Sequence, residues 1–275
     1  MVNALTIDLE DWYQGLTSTS RRIDQWPRFE NRVVENTERI LEILGQASVK
    51  ATFFVLGYVA DQFPNLIQRV ADDGHEIALH GYHHQHVHRL TLDQFCRDVA
   101  LGMEAVQQAS GRKVIGFRAP MFSINGSTNW ALQELCAMGF SYDSSMFPIR
   151  NFYYGNPNAP RHPYRPLEGS AFMEFPLATV RIIGINWPVG GGFYVRTLPY
   201  QLIRAGIRHL NQEGQPAVMY VHPWELDLEQ RYYQVTFRER ITHYHGRTSL
   251  QNKLCRLIQD FDFAPLDKLL DSTAD

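Results

Sequence analysis

The sequence predicts a single α/β domain with a mostly parallel sheet and a barrel-like shape. Short apolar segments typical of buried strands alternate with longer segments of helical periodicity, and parallel strands require such crossover helices between them. The 275 residues are enough to form one large core. Histidines and acids gather where the predicted strands end, which is the edge at which α/β folds place their sites.

The alternation is regular over the first half of the chain. Apolar runs predict strands at 2–8, 51–56, 76–79, 114–117 and 140–142. Helical periodicity predicts helices at 29–47, 64–73, 92–110 and 127–139. Gly45 and Gly139 mark the ends of the first and last of these helices, and Pro64 lies in the first turn of the second.

The second half begins with an interruption and then returns to the same alternation. Residues 148–170 contain five prolines and two glycines, which predicts a long loop over one rim of the sheet. A β-rich stretch follows at 173–185. The glycine run at 190–192 requires a tight bend but lacks the lysine and the helix context of a phosphate-binding loop. A helix at 199–210, a strand at 217–221 and a closing helix at 250–261 complete the pattern.

Composition excludes several classes of function. The formal charge of −3 offers no basic field for nucleic acid. Cys96, Cys136 and Cys255 are odd in number and widely spaced, which argues against a disulfide framework or a cysteine-rich metal site. The first residues lack the pattern of a signal peptide and no run of 18 apolar residues occurs, so we expect a cytoplasmic protein without a transmembrane segment.

Five of the eleven histidines lie within nine positions, directly after the predicted strand at 76–79. His80 and His84 are four residues apart, a separation of roughly 13 Å on an extended strand, whereas zinc ligands lie about 2 Å from the metal. We therefore expect the chain to turn helically after His80, which would make the two residues neighbours. His84 and His88 are also four apart, so the spacing alone leaves the choice of pair open.

Acids and a further histidine follow other predicted strands. Asp8, Glu10 and Asp11 end the first strand, and Asp8 and Glu10 share a face if the strand continues. His222 follows the strand at 217–221, and Arg118 follows the strand at 114–117. Two histidines with one carboxylate leave zinc an open position, which is typical of a catalytic site. A second carboxylate and a third histidine would supply a base and an acid.

The chain resembles the polysaccharide deacetylases of carbohydrate esterase family 4, also called NodB-homology proteins. The resemblance rests on five motifs in order: TIDLED at 6–11, HGYHH at 80–84, RAPMF at 118–122, YDSS at 142–145 and YVH at 220–222. The tail resembles the C-terminal extension of a subgroup tied to bacterial exopolysaccharide gene clusters, through TVR at 179–181, PVGGGFY at 188–194, HPWELD at 222–227 and FAPL at 263–266.

The resemblance implies a distorted (β/α)7 barrel with outer helices. On this basis residues 1–225 are expected to form the NodB-like deacetylase domain, and residues 226–275 a C-terminal extension packed on the same domain. The tryptophan usual near the fourth motif is absent, and Phe147 is expected to form an apolar wall in its place.

The resemblance also implies a metal site. His80 and His84 would bind a divalent metal, expected to be Zn²⁺, together with one acid of the first motif. Both Glu10 and Asp11 match that third ligand in part. Glu10 is favoured because it shares a face with Asp8, and a related branch of the family uses acids at this spacing.

The resemblance implies a base, an acid and a supporting residue for each, at four further positions. Asp8 would be the general base and His222 the general acid. Arg118 would pair with the base carboxylate and keep it ionised. Asp143 would orient His222 or, alternatively, act as a turn residue.

The implied reaction is metal-assisted removal of N-acetyl groups from hexosamine residues of a bacterial exopolysaccharide or its precursor. The expected partners are an N-acetylated polysaccharide or oligosaccharide and the machinery of exopolysaccharide biosynthesis. One alternative is an allantoinase-like hydrolase of cyclic amides that needs no metal. Another is a catalytically inactive carbohydrate-binding protein.

Overall fold

Eight parallel strands form one curled sheet in the computed structural model, which describes residues 1–151, 155–231, 233 and 235–270. The strands run in the order β9–β1–β2–β3–β4–β5–β6, and β10 pairs with the first two residues of β1. Their bounds are β1 Asn3–Leu9, β2 Thr52–Val55, β3 Glu76–Leu79, β4 Gly116–Phe117, β5 Tyr142–Asp143, β6 Met173–Glu174, β7 Thr179–Ile182, β8 Ile185–Pro188, β9 Val218–Val221 and β10 Phe263–Ala264. The prediction of a parallel α/β barrel is confirmed.

Helices connect the strands along the chain. They are α1 Trp12–Gly15, α2 Thr17–Ser20, α3 Val33–Gln46, α4 Gly57–Gln62, α5 Pro64–Asp72, α6 Leu92–Ser110, α7 Trp130–Ala137, α8 Gly192–Thr197, α9 Tyr200–Gln212, α10 Phe237–Glu239, α11 Arg247–Asp260 and α12 Asp267–Leu270. The six predicted helices correspond to α3, α5, α6, α7, α9 and α11; the bounds of α6 are those predicted, and the others differ by up to four residues at an end. Among the described residues, no helix has the length and apolar content needed to cross a bilayer.

The alternation of side chains along β1 separates two apolar layers. Leu5, Ile7 and Leu9 face the outer core beneath the helices, whereas Ala4 belongs to the cluster inside the barrel. Thr6 and Asp8 have the same parity as Ala4, so they point inward. All seven residues of β1 are buried, as expected for a central parallel strand covered on both faces. Asp8 is therefore carried by a strand that is buried along its whole length.

The region between β6 and β9 departs from the regular alternation. β7 and β8 form a separate antiparallel hairpin, and the glycine run follows it directly. The backbone amide of Ala178, next to β7, donates to the carbonyl of Val218 on β9, which links the last part of the sheet to the first. In the predicted loop at 148–170, residues 152–154 lie outside the described residues. The described remainder contributes one bridge, from Tyr164 to Glu174.

The end of the chain packs on this body. Lys253 on α11 donates to the backbone carbonyls of Val195, Arg196 and Leu198 at the end of α8. β10 adds to β1 through Asn3 and Ala4. The predicted division of the chain at residue 225 stays a prediction.

Candidate active site

Residues from three strand ends meet in one cavity. Asp8 and Glu10 end β1, His80 follows β3, and His222 follows β9. Because the strands are parallel, their carboxyl ends lie on the same edge of the sheet. The cavity has a volume of about 200 Å³ and its walls include Phe122, Tyr194, Tyr220 and Trp224.

Glu10, His80 and His84 form a cluster that could hold a metal ion. All three are buried, and one potential ligand atom from each lies within 4.8 Å of the others. Oε2 of Glu10 lies 2.6 Å from Nε2 of His84. Of the two histidine pairs that the spacing left open, the structure brings His80 and His84 together beside Glu10. His88 is exposed, with its ring beside that of His86.

The loop after β3 brings the two histidines together, although not by the predicted helical turn. Gly81 and His84 adopt left-handed backbone conformations, with φ of +71° and +53°. These two residues reverse the chain within four positions, and histidine tolerates this region better than β-branched residues do. The carboxylate of Asp98 fixes the loop by accepting from the backbone amides of Tyr82 and His83 and by contacting Nδ1 of His83.

The cluster fits a divalent metal such as zinc. Nδ1 of His80 donates to the carbonyl of Arg118 at 2.8 Å, which directs its Nε2 towards the cluster. Apart from its contact with Nε2 of His84, the buried Oε2 of Glu10 has no hydrogen-bond partner among the described residues. Two imidazole nitrogens and one carboxylate oxygen are a donor set that zinc prefers.

Protonation states at the cluster also suit metal binding. Burial lowers the pKa of His80 to about 4, against the opposing effect of Asp8, so the ring is neutral near pH 7. Burial acts to raise the pKa of Glu10, but the nearby His84, His222 and His80 lower it to about 2. A neutral imidazole and an ionised carboxylate are the forms that bind metal.

Asp11 faces away from the cluster and has a structural role. Its carboxylate accepts from the backbone amides of Trp12, Arg32 and Val33, so it caps α1 and ties it to the start of α3. Burial raises the pKa of Asp11 to about 7 despite these hydrogen bonds. Of the two acids left open by the sequence, the structure brings Glu10 to the histidines and not Asp11.

Replacing Glu10 with glutamine is expected to lower zinc affinity by at least about tenfold, since even the loss of a partner behind a ligand costs about 10–100-fold. Asp11→Asn is the matched control. It should retain stoichiometric zinc while losing about 1–3 kcal/mol of stability, because one acceptor for buried amides is removed. The zinc content of both variants is measured after dialysis. Full zinc in Glu10→Gln together with loss in Asp11→Asn would assign the third ligand to Asp11.

Arg118 holds Asp8 from inside the barrel. Its Nη1 donates to Oδ1 of Asp8 at 2.6 Å and to Oγ1 of Thr6 at 2.7 Å. Its remaining donors bind the carbonyl and the hydroxyl of Ser144, and its guanidinium lies 4.1 Å from the centroid of the Phe54 ring. The predicted pairing of Arg118 with Asp8 is therefore present, and Oδ2 of Asp8 is the oxygen left to act in the cavity.

His222 lies opposite these acids. Its Nε2 is 3.9 Å from Oδ2 of Asp8 and 3.7 Å from Oε1 of Glu10. Its ring stacks on Trp224 with centroids 4.8 Å apart, and the indole of Trp224 donates to Glu10. Burial acts to lower the pKa of His222, but the adjacent Glu225, Glu10 and Asp8 outweigh burial and raise it.

The expectation that Asp143 orients His222 is corrected by the structure. The Asp143 carboxylate accepts from the backbone amide and the hydroxyl of Ser145, and its other close neighbour is the buried Glu174. The local turn hydrogen bond prevails because Ser145 is only two residues away. The acid beside Nδ1 of His222 is Glu225, which the sequence reasoning missed although it lies three residues after His222 in HPWELD.

The aromatic residue expected at the fourth motif contributes indirectly. Phe147 is buried and packs edge-on against Phe122, which lines the cavity, and against Tyr194. It therefore supports an apolar wall rather than lining the cavity itself.

Comparison with known proteins gives two family matches along the chain. The profile described as polysaccharide deacetylase matches residues 23–140, and a profile described as a domain of unknown function, DUF3473, matches residues 144–271. His80, His84 and Arg118 fall in the first region, and His222 and Glu225 fall in the second. The site is therefore assembled from both regions together with β1.

Curated relatives align with part of the chain. A peptidoglycan-N-acetylglucosamine deacetylase of Bacillus cereus is 33% identical over 102 residues, which are 37% of this chain and 37% of that protein. A peptidoglycan deacetylase of Helicobacter pylori is 30% identical over 109 residues, 39% of this chain and 36% of that protein. The alignments thus span little more than a third of the relatives' own length.

Solved structures share the fold over nearly the whole chain. A putative polysaccharide deacetylase from Mycobacterium smegmatis superposes with a TM-score of 0.61 at 23% identity, covering 98% of this chain and 88% of that one. A family 4 carbohydrate esterase from Streptomyces lividans has a TM-score of 0.51 at 14% identity, with coverages of 96% and 91%. At such identities the likeness concerns the fold alone. Residues 23–140 thus match the polysaccharide deacetylase family, and the whole chain has the fold of these two solved structures.

Proposed function

We propose that the protein is a metal-dependent hydrolase that removes N-acetyl groups from hexosamine residues of a bacterial exopolysaccharide or its precursor. The observation that carries this proposal is the position of Asp8 and His222, 3.9 Å apart, beside the cluster of Glu10, His80 and His84. A proton acceptor, a proton donor and a metal-ligand set are the groups that amide hydrolysis needs. The family and the names of the curated relatives support deacetylation as the reaction.

Glu10, His80 and His84 would hold the metal, and Zn²⁺ is proposed because the donors are two imidazoles and a carboxylate. A divalent metal there supplies Lewis acidity, which polarises a carbonyl group and makes water easier to deprotonate. The carbonyl of Arg118 keeps Nε2 of His80 directed at the cluster. The indole of Trp224 does the same for the carboxylate of Glu10 through its 3.1 Å hydrogen bond.

Asp8 would accept the proton from the attacking water. Its Oδ1 is held by Arg118, so Oδ2 is the oxygen that faces the cavity and His222. Because Arg118 is itself held by Thr6 and Ser144, the carboxylate has little freedom to rotate away from the substrate. A base fixed in this way contributes by its position as well as by its charge.

His222 would donate a proton to the departing amine. An amide nitrogen is a poor leaving group unless it is protonated, so the reaction needs a donor on the side of the sugar. Nε2 of His222 faces Glu10, on the side of the cavity where the substrate would lie. The His222 ring is held by its stack on Trp224.

The cavity fits the reactive end of a sugar rather than a whole chain. Its volume of about 200 Å³ is below the roughly 300–1,000 Å³ of clefts that enclose a complete drug-sized ligand. Aromatic side chains such as Phe122, Tyr220 and Trp224 offer flat apolar surfaces for the acetyl methyl group and a sugar face. We infer that the rest of the polymer lies along the rim. A cytoplasmic location and contact with biosynthesis machinery stay predictions.

Acetate release from a panel of N-acetylated glycans tests the proposal. We expect the protein with zinc to release acetate from at least one N-acetylglucosamine polymer or oligomer. Treatment with a chelator should reduce the rate by at least about 10²-fold, since the metal contributes several kcal/mol to transition-state stabilisation, and added zinc should restore it. Activity on a cyclic amide that survives the chelator would favour the allantoinase-like alternative. Binding of glycans without acetate release would favour an inactive carbohydrate-binding protein.

A further inference from the structure

We propose that Glu225, held in place by Arg196, is a positioning residue for His222, so that the region matched by DUF3473 completes the proton donor. The inference rests on the proposed function, because it concerns how His222 would act on the leaving amine. It assigns a role to a carboxylate and an arginine that are buried beside the cavity and have no part in the steps above.

Glu225 contacts His222 in two ways. Its Oε2 accepts from the backbone amide of His222 at 3.0 Å and lies 3.4 Å from Nδ1 of the ring. This second distance is long for a hydrogen bond, and contacts of this kind often shorten when substrate binds. Nδ1 is buried, and the groups recorded beside it are the carboxylate and the backbone amide of Glu225. Glu225 is therefore the acceptor available to this nitrogen.

Arg196 fixes the other side of the Glu225 carboxylate. Its Nε donates to Oε1 of Glu225 at 2.7 Å, and its Nη2 donates to the carbonyl of Thr242 at 2.7 Å. Its Nη1 reaches the carbonyls of His243 and His245. With all three of its nitrogens engaged, the guanidinium cannot shift without breaking several hydrogen bonds. Both charged side chains are buried, which is costly, and a gain in positional specificity would explain such a pair.

The glycine run allows this arrangement. A Cβ atom at Gly192 would lie 2.1 Å from Oε2 of Glu225, and one at Gly190 would lie 2.4 Å from the carbonyl oxygen of Val218 on β9. Glycine thus lets the start of α8 lie directly against β9 and the Glu225 carboxylate. The glycine run at 190–192 therefore has a steric role: it leaves room for the Glu225 carboxylate and for β9.

Trp224 fixes the plane of the His222 ring. Its indole stacks between the His222 ring, tilted by 22° with centroids 4.8 Å apart, and the His243 ring, tilted by 18° at 4.1 Å. Stacking sets the plane, while a contact at Nδ1 sets the rotation within that plane. With both fixed, Nε2 is the nitrogen that faces Asp8 and Glu10.

The dependence on leaving group separates positioning of the acid from general support of the site. Expulsion of a sugar amine needs a proton from His222, whereas a nitrophenolate leaves an aryl acetate without one. Glu225→Gln keeps the size of the side chain. We expect it to lower kcat on an N-acetylglucosamine oligomer by about 10²-fold, the lower end of what a positioned acid contributes. KM and zinc content should change little, and the rate on nitrophenyl acetate should stay within about threefold.

A double-substitution series provides a second measurement. If Glu225 acts through His222, Glu225→Gln added to His222→Ala should lower the rate on the oligomer by less than about threefold further. Glu225→Asp, which keeps the charge, should recover part of the activity. Glu213→Gln is the control, because Glu213 is also paired with an arginine but lies outside the cavity. It should behave as the unaltered protein.

Equal losses on the oligomer and on the aryl ester, or loss of zinc, would overturn the inference and make Glu225 a structural residue. So would additive losses in the double variant. If Glu225→Gln fails to fold, the rates of Glu225→Asp on the oligomer and on the aryl ester are compared instead. A loss confined to the oligomer supports the inference, and equal losses overturn it. Failure of the proposed function would look different, since the unaltered protein loaded with zinc would then release no acetate from any N-acetylated glycan.

Discussion

Replacing His84 with alanine is expected to remove zinc from the protein and to lower acetate release by at least about 10³-fold. His84 would supply one of the three proposed ligands, and its Nε2 lies 2.6 Å from the Glu10 carboxylate. Two remaining ligands make a weak site, and loss of the metal removes several kcal/mol of transition-state stabilisation. His80→Ala should have the same effect, because its Nε2 is directed at the cluster by the carbonyl of Arg118.

His88→Ala is the matched control for this experiment. His88 is the same type of residue, four positions from His84, and lies on the exposed side of the loop. It should keep stoichiometric zinc and full activity. Metal content by atomic emission, measured on the same preparations as acetate release, gives both quantities. Retention of zinc by His84→Ala together with its loss from His88→Ala would show that His88, and not His84, is the ligand.

The architecture was predictable because each part of the barrel repeats the same local pattern. Buried parallel strands read as short apolar runs, and the crossover helices read as longer periodic ones. In β1 the run is interrupted by Thr6 and Asp8, which face inward to Arg118. Polar residues inside a strand that is otherwise apolar were therefore a signal of the site, and the location of Asp8 follows from the parity of the strand.

Features of the site that depend on contacts between distant elements were harder to predict from the sequence. The pairing of Glu225 with Arg196 joins residues 29 positions apart, and no periodicity relates them. The left-handed backbone at His84 is set by the loop around Asp98 rather than by a propensity of histidine. Asp143 has the residue type expected for a partner of His222, but the adjacent Ser145 satisfies its carboxylate first. Sequence spacing identified the candidates, and only packing distinguished among them.

Asp8→Asn is expected to keep zinc and to lower kcat by about 10²–10⁴-fold, the range that a general base contributes. Asparagine preserves the shape of the side chain, and its amide oxygen can still accept from Arg118. The amide cannot take a proton from water, so the loss should fall on kcat rather than on KM. The predicted pattern is the opposite of that for His84→Ala, which loses the metal itself.

Asp8→Asn is also expected to lower the stability of the protein. Arg118 is fully buried, and Asp8 is the carboxylate that contacts it, so Asp8→Asn leaves a buried cation without its anion at a cost of about 3–5 kcal/mol. The hydrogen bonds from Arg118 to Thr6 and Ser144 remain and limit that cost. Zinc stoichiometry and thermal unfolding of the same sample therefore have to accompany the kinetics. A folded Asp8→Asn protein that binds zinc and releases acetate at a near-normal rate would mean that another group accepts the proton.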